Sequence, residues 1–183
     1  MAAAIAPLLI ALASFVLRLV NLGATKGYIF DEVYYVDGAR DLLKYGVEVS
    51  GSNPEFIVHP PVGKWLIAAG IAIFGDNEFG WRFATALVGT LLILVFARLI
   101  HVLFYSPVLT GLGAALMALD GLLLVHSRTA LLDLFLTFFV LVGVLLWHRD
   151  RHWWAGLAFG LALGCKWSAI YFIAVIALIA VYR

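Results

Sequence analysis

Long runs of apolar residues constrain this chain more than any other feature of its sequence. Of its 183 residues, 64% are hydrophobic and 13% are charged, whereas an ordinary soluble domain is about 45–50% apolar and about 25% charged. A helix needs about 20 mostly apolar residues to cross a bilayer, so the chain has room for about five or six such helices beside one polar loop. We therefore predict an all-α fold: a polytopic membrane protein built as a transmembrane helix bundle.

Charge and cysteine content argue against other classes of protein. The net charge is +1, which argues against a polyanionic partner, so we expect no nucleic acid. Cys165 is the single cysteine and has no partner for an internal disulfide. The first apolar run resembles a signal peptide, but it has no basic segment before it and continues past the small-residue site. We interpret it as an uncleaved first helix.

Polar interruptions between the apolar runs predict the order of segments. We expect helix one at about 3–22, an outer loop at about 23–77 and the remaining helices at about 79–182. The predicted later segments are 79–103, 108–125, 129–147, and then either two short helices, 153–165 and 167–181, or one interrupted helix. Within the loop, residues 31–45 predict an amphipathic helix. Residues 65–74 are too few to cross a bilayer at 1.5 Å per residue, so we expect them to lie in the membrane interface.

The basic residues of the short loops predict the orientation. The turn at 148–152 carries Arg149 and Arg151, and basic residues concentrate in cytoplasmic loops. Trp147, Trp153 and Trp154 flank this turn, as expected of an interfacial aromatic belt. The acidic loop 23–77 is then extracytoplasmic, and the chain is expected to be a multi-pass protein of the plasma membrane.

With this topology, the ionisable residues near the apolar runs gather at the outer end of the bundle. Charges are costly inside a membrane, so such residues are functional candidates. The candidates in the helices are Arg18, Arg82, Asp120, His126, Arg128, Asp133 and Lys166, and those in the loop are Asp31, Glu32, His59 and Lys64.

Structural roles remain open for several of these candidates. Arg18 and Arg82 could extend to lipid headgroups. Asp31 could serve only as the N-cap of the amphipathic helix, and His59 could be an ordinary loop residue. Glu32 need not share a role with Asp31, because adjacent side chains on a helix diverge by about 100°.

Pairing between helices is a further structural alternative. Asp120 and Asp133 could each pair with Arg128 and hold helices together. No pair of histidines has the spacing of a zinc site. An Asp-Glu pair can bind a divalent cation, but the sequence shows no complete ligand set, so no tightly bound cofactor is expected.

The chemistry of this set favours group transfer at the outer membrane surface. A carboxylate can accept a proton from a nucleophile, and cations at headgroup level can bind a lipid phosphate and stabilise it as a leaving group. A transporter component would instead need charges along a path through both leaflets. The residues therefore favour transfer from a lipid-phosphate donor to an extracytoplasmic acceptor.

Six short motifs follow one another along nearly the whole chain. They are Arg18-Leu19-Val20-Asn21-Leu22-Gly23, Phe30-Asp31-Glu32, His59-Pro60-Pro61-Val62-Gly63-Lys64, Phe79-Gly80-Trp81-Arg82-Phe83, Ser127-Arg128-Thr129-Ala130-Leu131-Leu132-Asp133 and Gly164-Cys165-Lys166-Trp167-Ser168. In this order they resemble the motifs of the protein O-mannosyltransferases, and the bacterial form, as in actinobacteria, is the most similar. Aminoarabinose transferases of the same superfamily tend to have Lys-Pro-Pro where this chain has His59-Pro60-Pro61.

The resemblance implies a GT-C fold and an inverting transfer of mannose from polyprenyl-phosphate mannose to Ser or Thr hydroxyls of exported proteins. It also implies that Asp31 is the base and that Glu32 positions acceptor or donor. Arg18 and Arg82 would support the site and the lipid phosphate. The remaining candidates for binding the phosphate or ordering the loops are His59, Lys64, Arg128, Asp133 and Lys166.

The implied partners are the lipid-linked donor, acceptor proteins at the export machinery and membrane lipid. Members of the family have more helices than this chain, so the resemblance predicts an N-terminal portion of such an enzyme. The alternatives are an aminoarabinose-type transferase of the same superfamily and a noncatalytic membrane transport component.

Overall fold

The computed structural model describes residues 2–51, 53–54 and 58–182, which form nine α-helices and one short β-hairpin. The predicted helical fold is confirmed, and the hairpin inside the outer loop was not predicted. The elements are α1 (Ala2–Leu19), α2 (Glu32–Tyr45), β1 (Val49–Ser50), β2 (Asn53–Pro54), α3 (Val62–Phe74), α4 (Glu78–Phe104), α5 (Pro107–Leu119), α6 (Gly121–His126), α7 (Leu132–Trp147), α8 (His152–Cys165) and α9 (Ala169–Val181).

Only α4, among the described residues, is long and apolar enough to cross a bilayer by length and composition. Helix α4 has 27 residues. The sequence predicted five or six membrane-crossing helices of about 20 residues each. The other apolar helices are shorter: Ile5–Leu19, Val62–Phe74, Pro107–Leu119, Leu132–Trp147 and Ala169–Val181.

The predicted single helix at 108–125 is wrong, because the chain breaks at Asp120. Its backbone is extended there, with φ −61° and ψ 120°. The Asp120 carboxylate accepts a hydrogen bond from the backbone nitrogen of Leu123 at 2.6 Å, so it caps α6 as aspartates commonly do. Asp120 therefore ends α5 and begins α6, and its side chain does not pair with Arg128.

The segment 153–181 forms two helices, which decides between the two predicted alternatives. Lys166, between α8 and α9, has an extended backbone with φ −157° and ψ 138°. The first helix ends earlier than predicted, at Leu19, and Asn21 follows in the left-handed region with φ 54°. Such a conformation stops a helix, because L-residues other than glycine adopt it only singly.

The outer-loop helices pack directly onto the bundle. Helix α3 lies against α2 on one side and α4 on the other. Two glycines permit the second contact, since a Cβ on Gly70 would lie 2.3 Å from the carbonyl oxygen of Gly80. Tyr35, Ile67 and Phe135 join the loop helices to α7 in one buried cluster. The loop is thereby fixed against the ends of α4 and α7.

Candidate active site

Glu32, the first residue of α2, is fully buried and its carboxylate accepts four hydrogen bonds. Oε1 accepts from Nε of Arg82 at 2.8 Å and from the backbone nitrogen of Ala130 at 2.7 Å. Oε2 accepts from Nη2 of Arg82 and from the backbone nitrogen of Ile29, both at 2.7 Å. Two oxygens with four bonds have no free lone pair, so Glu32 connects the loop, α4 and the segment before α7.

The Arg82 guanidinium forms all of its hydrogen bonds inside the protein. Besides its two bonds to Glu32, it donates to the carbonyl oxygens of Leu22 (3.5 Å), Thr25 (2.8 Å) and Gly27 (2.9 Å). These bonds use all five N–H groups of an arginine, and the side chain is 1% exposed. The alternative in which Arg82 extends to lipid headgroups is wrong, because the side chain points into the protein. Its geometry favours site support over direct phosphate binding.

Asp31 lies beside Glu32 but in a different environment. It is partly buried and makes no side-chain capping bond to α2, so the alternative of a capping carboxylate is wrong. One oxygen accepts a hydrogen bond from the hydroxyl of Tyr35 at 3.3 Å. Within the part of the chain that the structure describes, no Lys, Arg or His lies within 4 Å of this carboxylate. Asp31 therefore retains free lone pairs.

Lys166, at the break between α8 and α9, pairs with Asp133 in the first turn of α7. Its Nζ lies 2.8 and 3.0 Å from the two carboxylate oxygens. The alternative in which Asp133 pairs with Arg128 is wrong, because Nη1 of Arg128 instead donates to the carbonyl oxygens of Leu17 (2.9 Å) and Arg18 (2.8 Å). The break thus places a lysine beside the start of α7.

A hydrogen bond joins the segment before His59 to the α8–α9 break, since Nε1 of Trp167 donates to the carbonyl oxygen of Val58 at 3.0 Å. Burial raises the pKa of the Tyr35 hydroxyl, and the negative charges of Asp31 and Asp133 raise it further. Tyr35 was not predicted from sequence; its spacing of four residues from Asp31 is the signal, since i and i+4 share a helix face.

His59 packs beside Tyr35 in this arrangement. Its ring lies 5.9 Å from the ring of Tyr35, centroid to centroid. Burial and the charges of Lys166 and Lys64 lower the pKa of His59 below its ordinary value of 6.5. Its Nδ1 is buried and has no hydrogen-bond partner among the described residues. A neutral imidazole with an unused nitrogen therefore lines the site.

Arg18 is fully buried within α1 and does not extend to the headgroups. Its Nε donates to Oγ of Ser127 at 2.8 Å, and its Nη1 contacts the hydroxyl and the carbonyl oxygen of Ser14. Nη2 has no partner among the described residues. Arg18 thus holds α1 against the segment that carries Arg128. The alternative in which Arg18 extends to lipid headgroups is therefore wrong as well.

Lys64 forms a buried ion pair with Glu48, and neither side chain is more than 6% exposed. The pair fixes the hairpin region onto the N-terminus of α3. Glu48 was not singled out by sequence reasoning, and no local pattern distinguishes it from the other loop carboxylates. The positive charge of Lys64 is therefore neutralised by Glu48 within the loop.

A cavity of about 630 Å³ opens beside Asp31. Its wall includes Tyr34 and Tyr35 of α2 together with Glu48, His59 and Lys64. No group of three or more His, Cys, Asp or Glu side chains placed to bind a metal ion occurs in residues 2–51, 53–54 and 58–182. The site can supply an unpaired carboxylate and a neutral imidazole near one another, a set suited to accepting a proton.

Comparison with known proteins agrees with the motifs. The dolichyl-phosphate-mannose-protein mannosyltransferase family matches residues 58–183. A polyprenol-phosphate-mannose–protein mannosyltransferase of Mycobacterium tuberculosis (strain ATCC 25618 / H37Rv) is 39% identical over 201 residues, covering 90% of this chain and 38% of that protein. The protein of the same name in Corynebacterium glutamicum is 33% identical, over 84% of this chain and 36% of its own length.

A more distant relative bears the name of the alternative activity. An undecaprenyl phosphate-alpha-4-amino-4-deoxy-L-arabinose arabinosyl transferase of Pseudomonas aeruginosa (strain LESB58) is 36% identical, over 66% of this chain and 23% of its own length. No solved structure matches the chain significantly. The chain spans less than two fifths of the length of the mannosyltransferases named above, at most 38%. The resemblance carried by the motifs is confirmed: the chain belongs to the dolichyl-phosphate-mannose-protein mannosyltransferase family.

Proposed function

We propose that this chain forms the acceptor-activating part of a multi-pass GT-C membrane enzyme. The enzyme transfers mannose from polyprenyl-phosphate mannose to Ser or Thr hydroxyls of exported proteins, with inversion. One observation carries the proposal: Asp31 has an unpaired carboxylate on the wall of a cavity, whereas the neighbouring Glu32 is saturated by four N–H groups. Of the adjacent pair, Asp31 is therefore the residue able to take a proton.

Asp31 serves as the base in this proposal. The acceptor hydroxyl oxygen attacks the anomeric carbon of mannose from the face opposite the phosphate, and its proton passes to Asp31. The bond between the anomeric carbon and the phosphate oxygen breaks, and its electron pair leaves with the lipid phosphate. The hydroxyl of Tyr35, at 3.3 Å from one oxygen of Asp31, fixes the carboxylate while the other oxygen accepts the proton.

Lys166 and Arg128 are the cations that we assign to the departing phosphate. Lys166 is 24% exposed even while paired with Asp133, and Arg128 is partly exposed and uses only Nη1 in its bonds to α1. A guanidinium with free N–H groups can bind phosphate through two bonds. Arg18, Arg82 and Lys64 then support the site, because their charged groups are buried within the protein.

For the membrane arrangement we propose the orientation predicted from the sequence. Helix α4 would cross the bilayer, and α1 and α9 present lipid-facing side chains such as Leu17, 66% exposed, and Tyr171, 73% exposed. Trp153 is 94% exposed beside the basic turn at 148–152, which fits a cytoplasmic interface. The loop with Asp31 would then face the extracytoplasmic side, where acceptor proteins arrive from the export machinery.

A transfer assay with defined lipid-phosphate sugars tests the proposed function. Membranes carrying the protein at its full natural length would receive a polyprenyl-phosphate sugar and a peptide with one threonine. We expect transfer of mannose from polyprenyl-phosphate mannose and none from the aminoarabinose donor. Transfer of aminoarabinose alone, or of neither sugar under conditions in which the M. tuberculosis relative is active, would contradict the proposal.

A further inference from the structure

The described lining of the cavity beside Asp31 belongs to the outer loop. Among residues 2–51, 53–54 and 58–182, the lining residues lie between positions 31 and 64, on α2, the β1 region, the segment 58–59 and the first turn of α3, and none comes from α4 to α9. A lipid-linked donor must reach the site from the membrane, whereas a protein acceptor arrives from water. The placement of the cavity therefore assigns it to the acceptor.

We propose that this cavity binds an extended segment of the acceptor polypeptide and selects against acidic residues beside the acceptor hydroxyl. The inference rests on the proposed function and adds the class of acceptor sequence that the enzyme prefers. Its volume of about 630 Å³ lies within the usual range of ligand sites, about 300–1,000 Å³.

Two polar atoms in residues that line the cavity lack hydrogen-bond partners among the described residues. Glu48 is 4% exposed, and its Oε1 is unpaired although Oε2 binds Lys64. The Nδ1 of His59, a second lining residue, is also unpaired. Both atoms have almost no accessible surface, so they lie behind the cavity wall and do not face a ligand. Exposed polar side chains of the wall, Tyr34 and Ser50, can bond to a peptide main chain, since each residue other than proline offers one N–H donor and one carbonyl acceptor.

The charges of the cavity decide which peptides fit. Asp31, Asp37, Asp41 and Glu48 line it. Lys64 pairs with Glu48, and the single positive charge of Arg40 is shared between Asp37 and Asp76. Asp31 and Asp41 have no cation within 4 Å in the described part of the chain. An acidic peptide side chain would meet two unpaired like charges, whereas a basic or uncharged one would not.

Asp41 offers a substitution that changes charge and keeps structure. Its Oδ2 accepts a hydrogen bond from the backbone nitrogen of Val49 at 3.1 Å, and the amide oxygen of asparagine can accept the same bond. Asp41→Asn therefore removes one charge from the cavity without releasing β1. Asp150→Asn is the matched control, because Asp150 is exposed in the turn at 148–152 and does not line the cavity.

The test compares peptides that carry one threonine flanked by lysine, alanine or glutamate at the same positions. Acceptor KM and kcat would be measured at saturating polyprenyl-phosphate mannose in the full-length protein. We expect KM for the glutamate peptide to exceed that for the lysine peptide by roughly 2- to 5-fold, the range of one exposed charge pair. The ratio should fall in high salt and in Asp41→Asn, and should stay unchanged in Asp150→Asn.

Three outcomes would overturn the inference. Equal KM values for the lysine and glutamate peptides at low salt would remove the charge selection. An unchanged ratio in Asp41→Asn would remove Asp41 from the site. A raised KM for the donor in that variant, with acceptor KM unchanged, would assign the cavity to the donor.

A binding readout separates this inference from the proposed function. Fluorescently labelled peptides with alanine in place of threonine cannot be glycosylated, so anisotropy reports their binding alone. Tighter binding of the lysine peptide without transfer of mannose to its threonine form would contradict the proposed function and support the cavity as a peptide site. Transfer without charge discrimination would contradict only the inference.

Discussion

Glu32 and Arg82 form a buried bidentate ion pair across 50 positions of sequence, with Nε–Oε1 at 2.8 Å and Nη2–Oε2 at 2.7 Å. The pair joins the start of α2 to the first turns of α4, and the same carboxylate holds the backbone nitrogen of Ala130 ahead of α7. The outer loop is therefore fixed to two helices through one side chain. The neighbouring Asp31 is left without a cationic partner among the described residues.

Replacement of Arg82 by lysine should destabilise the protein. A lysine has three N–H donors on one nitrogen and cannot copy the bidentate fork, so some of the carbonyl oxygens that Arg82 bonds would lose their donor, at about 1–3 kcal/mol for each buried group left unpaired. We expect a lower folded yield in detergent and a lower midpoint of thermal unfolding, with unchanged donor KM in the folded fraction. Lys26→Ala is the control, because its pair with Glu78 is 77% exposed on the lysine side. Normal stability with a raised donor KM would instead make Arg82 a phosphate ligand.

Asp31→Asn should abolish most of the transfer while leaving the fold intact. Asparagine keeps the size of the side chain and still accepts the bond from Tyr35, but it cannot take up the proton. General acid–base groups contribute about 10²–10⁴-fold, so we expect kcat to fall by about that factor. Donor binding should be unchanged, because Lys166 and Arg128 are untouched. Turnover close to that of the wild type in a folded variant would remove Asp31 from the catalytic role.

Lys166→Met should raise the requirement for donor more than the requirement for acceptor. The substitution keeps a long side chain but removes the charge that we assign to the lipid phosphate, and it leaves Asp133 unpaired. We expect donor KM to rise by about 10-fold or more, as for loss of a charge-assisted hydrogen bond of about 1.5–3 kcal/mol. The double variant Lys166→Met/Asp133→Asn separates the two causes. Recovery of donor KM in the double variant would show that Lys166 only neutralises Asp133.

Acid should weaken the contacts that hold the outer surface of the loop. Arg40 binds Asp76 at 2.8–3.1 Å and lies over the ring of Trp81, whose Nε1 also donates to Asp76. The hydrogen bond from Arg40 lowers the pKa of Asp76 below its ordinary 3.8, and the bond from Trp81 acts in the same direction.

The pKa of Asp76 is lower in the folded protein than in the unfolded chain. Its carboxylate therefore contributes its full stabilisation at pH values above the unfolded pKa. This contribution is lost as pH falls through the folded pKa. We expect the midpoint temperature of thermal unfolding of the wild type to decrease once the pH is lowered below about 4. In Asp76→Asn, the midpoint should depend less on pH in this range. Asp150→Asn should keep the wild-type dependence. An identical acid profile in Asp76→Asn would show that other carboxylates control the loss.

Thiol labelling in intact cells should show that the hairpin faces the extracytoplasmic side of the membrane. Cys165 is buried and would be replaced by alanine, and a single cysteine would be placed at Ser50, which is exposed. We expect an impermeant maleimide to label Ser50→Cys in intact cells and Arg149→Cys only after the membrane is opened. The reverse pattern would contradict the proposed orientation.

Local rules accounted for much of the helical order and for part of the site. Hydropathy located the apolar segments, and the 3.6-residue repeat alone predicts that the side chains of Asp31 and Glu32 point in different directions. The same repeat links Asp31 to Tyr35 at i+4. The failure at 108–125 has a local cause, since an aspartate that caps the next helix also ends the previous one.

The partners of the charged side chains were decided by tertiary structure alone. Glu32 with Arg82, Glu48 with Lys64 and Asp133 with Lys166 are separated by 50, 16 and 33 positions. Sequence reasoning brought these cations and carboxylates to one end of the bundle, because charges avoid the membrane interior. Which cation meets which carboxylate depends on how α3, α4 and the α8–α9 break pack against the loop. That packing buries some pairs completely and leaves Asp31 unpaired, so the free carboxylate is a product of the fold.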